Sequence, residues 1–328
     1  MHRQEFVLPI TYIYYPILAA LQVPINLVAI VILYRGKCGL SKCITRYLVA
    51  MAAADLMVVI FDVICYRTGY IYFASTVLNI TPVCRVNIVL FKAATDCSVW
   101  FTVAFTFDRF TAICCQKLKA MFCTEQTAVK VIGTFFTINC LTTIGIYFSF
   151  GPRYVINNVS WGCIHTESFN LLLGWKIYAY IIYFWNPLLP FLLILLFNAL
   201  TIRHILVSSK GRVRLQAGNI GGKRKDSEME SRKKSIILLF AVSGSFILLW
   251  MTYVVNGIYG RISKNYYYSG FNDPLFVRQE VGIMLQLFSC GTNTCIYAVS
   301  QRKFREELRN GVVCQFAQLL KVIALGKH

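Results

Sequence analysis

Three small groups of side chains in this 328-residue chain could do chemistry, and each sits in or beside an apolar run. Asp55 closes the run Leu48-Val49-Ala50-Met51-Ala52-Ala53-Ala54-Asp55. A carboxylate at that depth of an apolar segment is costly and marks function by default; the competing reading is a neutral, hydrogen-bonded core residue. Lys92 and Asp96 are four residues apart, so they share one helix face, either to meet a ligand or to neutralise each other. Asp108 and Arg109 are adjacent and follow the apolar run Val99 to Phe105. Alone, they read as a solvated charge pair at a helix end. The thirteen cysteines and four histidines show no ligand-spaced cluster, so no zinc centre is expected. No reaction is expected to be catalysed, and the chain is not read as an enzyme.

The elements that carry these groups must be membrane helices. The chain is 57% hydrophobic and 14% charged, against about 45–50% and about 25% for a soluble domain. Seven apolar stretches stand out, at 8–34, 44–70, 83–115, 126–150, 173–206, 234–260 and 274–299. Each exceeds the roughly 20 residues that span a bilayer. Backbone groups in lipid must be satisfied internally, so the stretches are helices, and the lack of strand-like alternation excludes a β-barrel. The fold class is therefore all-α: a seven-transmembrane helix bundle. From Cys84 to Arg109 a helix rises about 38 Å, at roughly 1.5 Å per residue, which puts the cysteine at one interface and the charge pair at the other.

Lysine and arginine set the orientation. They gather between stretches one and two, three and four, and five and six, and after seven, including Arg35, Lys42, Lys119, Lys225 and Arg305. The positive-inside rule puts the N-terminus outside and the C-terminus in the cytoplasm. The net charge of +19 is mostly this bias. Nucleic acid needs a soluble basic face and is excluded as a partner; anionic membrane lipid is expected instead. No cleavable leader is read at the N-terminus. The expected parts are an extracellular 1–7, a bundle 8–300, a membrane-surface helix 301–313 and a cytoplasmic tail 314–328. Lys210 to Ser231 is linker-like.

Several short motifs then fall in one order: Asn26, the Leu48–Asp55 run, Cys84, Asp108-Arg109-Phe110, Pro190, Phe246 with Trp250, and Asn293-Thr294-Cys295-Ile296-Tyr297. Together they resemble the rhodopsin-like (class A) G protein-coupled receptors. The segment Val99-Trp100-Phe101-Thr102-Val103 and the proline-free fourth span resemble a branch of largely orphan receptors linked to aromatic amino acids and peptides. The departures are Phe110 for tyrosine, Asn198 for tyrosine, and Thr252 and Thr294 for prolines. Without proline at 252, a kink of the sixth span must come from Thr252 back-bonding or from water.

The resemblance implies roles. Asp108, Arg109, Phe246, Trp250, Asn293 and Tyr297 would serve activation and coupling. Asp55 would hold a sodium ion, the one small allosteric ligand expected, with Ser98, Ser289 and Asn293; no other cofactor is implied. Cys84 and Cys163, the only cysteines at outer loop or helix-end positions, would form a disulfide. Phe91, Lys92, Thr95, Asp96, Tyr253, Asn256, Gln279 and Ile283 would line the ligand pocket. Phe91 stands where amine receptors carry an aspartate, which counts against an amine, and Leu287 stands where visual opsins carry their lysine. Asn79 and Asn158 head glycosylation sequons on outer loops. Cys314, after the surface helix, is expected to be lipidated.

The function implied is a plasma-membrane receptor coupling an extracellular peptide or small molecule to a heterotrimeric G protein by movement of helix six. Two other classes stay open: a non-signalling decoy receptor, and a transporter or channel. The absence of a visible internal repeat weighs against the last.

Overall fold

The computed structural model describes residues 9–36, 38–216, 224–263 and 273–310. Seven long helices form a bundle: α1 Thr11–Tyr34, α2 Lys42–Tyr72, α3 Thr81–Cys114, α4 Glu125–Ser149, α5 from Leu173 to Gln216, α6 Arg224–Ser263 and α7 Pro274–Ser300. Six are long and apolar enough to cross a membrane by length and composition. The seventh, α7, has the length at 27 residues but carries Gln286, Thr292, Asn293 and Thr294 in its inner half. These residues pack against other helices in the bundle, so a polar stretch need not face lipid.

Helix ends follow local chemistry. Ser41 accepts from the Ile44 amide to cap α2, Thr124 from Thr127 to cap α4, and Asp273 from Leu275 to cap α7. Pro82 and Pro274 occupy first-turn positions, where a missing N–H costs nothing. Two helices depart from α geometry. Val59–Thr68 within α2 is π-helical, and α5 is broken by a kink at Phe184–Leu188, where Asn186 has non-helical angles (φ −152°, ψ 120°).

The bundle is built around α3, in whose most apolar window 67% of residues are buried, against 11% for α4. On the outer side Tyr15, Leu18, Val59, Val63 and Leu287 pack α1, α2 and α7 together. Trp100, Ile194, Phe246 and Trp250 join α3, α5 and α6. Leu48, Met51, Phe105, Leu238 and Tyr297 fill the other half, around the C-terminal end of α3. Trp100 stacks on Phe135 of α4 (4.7 Å) and is tilted against Trp185 of α5 (4.4 Å).

The sixth helix is unbroken, and Thr252 makes no back-bond. The hydroxyls that turn back onto helix carbonyls are Ser243 to Leu239 and Ser245 to Val242. Of the two sources expected for a kink, Thr252 back-bonding or water, the first is not seen, and the hydroxyls that do turn back lie two turns inward. Ser243 also donates to Asn198 at 3.0 Å, so the asparagine at the tyrosine position ties α5 to α6 directly.

The α4–α5 loop carries β1 Phe150–Gly151, β2 Tyr154–Ile156, β3 Val159–Trp161 and β4 Ile164–His165, paired β1 with β4 and β2 with β3. Asn157 (φ 49°) and Asn158 (φ 61°) make the two-residue turn, where both central residues need positive φ. A disulfide joins Cys84 to Cys163, with Cα atoms 6.2 Å apart. Gly162 beside it has φ +69°, and an added Cβ would meet Arg153 Cβ at 3.0 Å, so this position demands glycine. After α7, residues 302–310 form α8, whose Phe304 is buried against Tyr297.

Candidate functional site

Three polar layers run down α3. The outermost holds Lys92 and Asp96, whose ammonium and carboxylate meet at 2.7 Å. Asp96 is fully buried and also accepts from the amide of Asn186, presented by the irregular turn of α5. The other residues read as pocket lining fall on several surfaces. Phe91 packs against Tyr66 of α2 at 5.3 Å, and the Thr95 hydroxyl turns back to the Phe91 carbonyl. Tyr253 stands edge-on to Trp250, and Asn256 donates to the Arg278 carbonyl at 2.7 Å, tying α6 to α7. Gln279 is exposed, and Ile283 packs among Tyr15, Val59 and Val63. The recorded bonds therefore join Asp96 to α5 and Asn256 to α7.

The middle layer centres on Asp55. Ser98 donates to one carboxylate oxygen at 2.5 Å and Asn293 to the other at 3.0 Å, joining α2, α3 and α7. Ser289 is not bonded to Asp55. It accepts from the Trp250 indole at 3.1 Å and donates to the Gln286 carbonyl. Yet Asp55, Ser98, Ser289 and Asn293 all line one small cavity, with Thr102, Phe246 and Trp250 on its walls and space for about one water-sized species. Carboxylate, hydroxyl and amide oxygens suit a hard monovalent cation, so the side chains present fit the expected sodium ion. Phe246 and Trp250 stack at 5.0 Å above this cavity. Asn26, buried, donates to the Gln22 and Cys290 carbonyls and ties α1 to α7.

The third layer, at the C-terminal end of α3, is Asp108 and Arg109. Both are buried, at 3% and 5% exposure, and paired through the Arg109 guanidinium. This corrects the solvated reading: neighbouring helices cover the pair. The Cys43 thiol donates to Asp108 at 3.0 Å, and Cys123 donates to its carbonyl. Tyr297 is buried in the core cluster with Phe105 and Leu238, its hydroxyl unpartnered.

Sequence reasoning missed a fourth polar group. Arg67 lies in the π segment of α2. It donates to Asp62 at 2.8 Å and to the Tyr15 hydroxyl at 3.0 Å, and Tyr15 in turn reaches Glu280 of α7 at 3.5 Å. Asp62 and Arg67 are five apart, a spacing that faces apart on an α-helix and together on a π-helix. Only a sign that the helix was π-wound would have exposed them.

The two sequons separate. Asn158 lies on the exposed hairpin turn. Asn79 is 9% exposed, and its amide nitrogen donates to the Phe73 and Ala74 carbonyls. That amide holds the α2–α3 loop, whereas the Asn158 side chain is exposed. Cys314 lies outside the described residues.

Residues 25–297 match the family described as 7 transmembrane receptor (rhodopsin family). The chain is also similar to G-protein coupled receptor 39 of Bos taurus, with 23% identity over 313 residues. That match takes in 84% of this chain and 66% of the relative's length.

Proposed function

The chain belongs to the rhodopsin family of seven-transmembrane receptors, and from that premise we propose that it couples an extracellular peptide or small molecule to a heterotrimeric G protein through movement of α6. It is a receptor, not an enzyme. The observation that carries the finer reading is the buried Arg109–Asp108 pair at the cytoplasmic end of α3. An arginine held there by its neighbour is a charge kept from a partner until the helices part.

The route from outside to inside is short. Trp250 sits on α6 between Tyr253, one turn outward, and Phe246, one turn inward, and its indole hooks α6 to Ser289 of α7. A ligand touching Tyr253 or Asn256 acts on that hook directly. It shifts the balance only by its differential affinity for the two arrangements. Loss of the hook would let the inner half of α6 swing from α5, at the cost of the Ser243–Asn198 bond. Arg109 would then leave Asp108 for the G protein and the free hydroxyl of Tyr297. Asp55, Ser98, Ser289 and Asn293 would hold the sodium ion, which supplies a positive charge beside the Asp55 carboxylate. Placement in the plasma membrane with the N-terminus outside, contact with inner-leaflet lipid, glycosylation at Asn158 and lipidation at Cys314 belong to this reading.

The test is basal nucleotide exchange by purified G proteins with the receptor in lipid nanodiscs. Asp108→Ala should raise exchange and Arg109→Ala should abolish it. Surface-expressed receptor that drives no exchange with any heterotrimer, as wild type or as Asp108→Ala, would make the protein a decoy.

A further inference from the structure

The Lys92–Asp96 pair is not a closed unit. Asp96 is 0% exposed and Asn186 3%, and Lys92 and Asn186 both donate to the same oxygen, Asp96 Oδ1. The second carboxylate oxygen, Oδ2, and the amide oxygen of Asn186 are buried and accept nothing. Buried polar atoms are nearly always bonded. Here the two atoms left over are both acceptors, and they belong to two side chains already in contact. What completes such a site is a group rich in N–H donors and carrying the charge opposite to the carboxylate. Lys92 already shows that an ammonium fits one side of it, and the lysine side chain, 22% exposed, stands further out than the acid it serves.

Trp185 precedes Asn186 on α5, and Trp100 stands one turn inward of Asp96 on α3; the two indoles are tilted against each other at 4.4 Å, so aromatic rings tie α3 to α5 beside this level of the bundle. Asp96 lies five residues beyond Phe91, which is about 140° further round α3 and about 7.5 Å deeper, by α-helical geometry. The absence of an acid at Phe91 therefore removes a cation site on one face of α3 and says nothing of the face toward α5.

We propose that Asp96 and Asn186 form the deep end of the ligand site, that they receive a monocationic group of the extracellular ligand, an ammonium or a guanidinium, and that Lys92 is the tethered amine this group displaces. The proposal rests on the reading of the chain as a ligand-operated receptor. It narrows the ligand to one with a cationic end that can reach α5, such as a peptide with a lysine, arginine or free amino terminus, or a small amine.

The experiment vacates the tethered amine and offers a free one. Lys92→Ala and Lys92→Met receptors are purified, and thermal unfolding is followed with n-butylammonium, with n-butanol and with tetramethylammonium, which has no N–H. Butylammonium should raise the Tm of both variants saturably. Butanol and tetramethylammonium should not, and Asp96→Asn added to either variant should shift the midpoint of the butylammonium effect at least tenfold. If the Lys92 variants fold only when butylammonium is present during expression, that also supports the site. Equal effects of all three compounds, no effect, an effect that survives Asp96→Asn, or failure to fold with and without the amine would each overturn it. The readout is stability rather than nucleotide exchange. Failure here leaves the receptor reading standing, and an absence of nucleotide exchange in wild type and Asp108→Ala, with butylammonium rescue intact, sinks that reading alone.

Discussion

Replacing Asp55 by alanine removes the acceptor on which two helices converge. Ser98 of α3 and Asn293 of α7 each donate to it from buried or half-buried positions. Alanine leaves both donors without a partner, and an unsatisfied buried group costs about 1–3 kcal/mol, so the sum is about 2–6 kcal/mol of destabilisation. Asparagine keeps one acceptor oxygen and loses the charge, so Asp55→Asn should cost about half as much while still reaching the surface. The two substitutions should agree in a second respect: neither retains a carboxylate for a cation. Thermal unfolding of purified receptor in sodium against choline at equal ionic strength reads both effects. Sodium at ten times its Kd would stabilise the wild type by about 1.4 kcal/mol through mass action, and both variants by nothing. Once an agonist is in hand, sodium should weaken its binding in the wild type, and the agonist should weaken sodium binding by the same factor. If Asp55→Asn and wild type respond alike to sodium, Asp55 is a packed core residue and the cation assignment fails. If Asp55→Ala unfolds at the wild-type temperature, the two hydrogen bonds do not hold α2, α3 and α7 together.

Arg67→Ala should destabilise by about 3–5 kcal/mol, because it strands Asp62 at 3% exposure, and a double-mutant cycle with Asp62→Ala should recover part of that loss in thermal unfolding. Cys84→Ala opens a loop of sequence separation 79 and should cost about 4 kcal/mol on a chain-entropy argument; surface protein whose thiols at 84 and 163 both alkylate without reduction would refute the bridge. Asn158→Gln should abolish the endoglycosidase-sensitive gel shift, whereas Asn79→Gln should leave the shift intact and lower thermal stability; a shift lost on Asn79→Gln alone contradicts the hydrogen-bonded loop. His165 stacks between Phe150 and Phe169, and its burial against them lowers its pKa below the usual 6.5. The folded loop thus disfavours the protonated form, so stability is complete above about pH 6.5 and falls as pH drops toward the folded pKa. His165→Phe should flatten the Tm-against-pH profile in that window, and an unchanged profile would remove His165 as the cause.

The sequence by itself determined the class of molecule. Seven apolar runs in a chain with few charges can only be helices in lipid, and the lysine and arginine bias gives them a direction. It also carried every contact that a single α-helix makes with itself. Lys92 and Asp96 meet because four residues return to one face, and Asp108 and Arg109 are neighbours in any fold. The positions that matter along α3 were thus legible, but their partners were not. That Asp96 faces Asn186, that Asp55 faces Asn293 across 238 residues, and that Cys43 reaches Asp108 all depend on how each helix is rotated and how deep it sits. Those two quantities are set by packing between helices, and α-helical periodicity in one sequence does not contain them. The irregular segments show the limit most sharply. One extra residue in a turn of α2 brings Asp62 and Arg67 together, and the kink in α5 presents Asn186 to Asp96. Asn79 and Asn158 carry the same triplet rule and differ only in surroundings, a buried loop against an exposed turn. Chain chemistry chose which residues could act; tertiary packing chose which of them do so together.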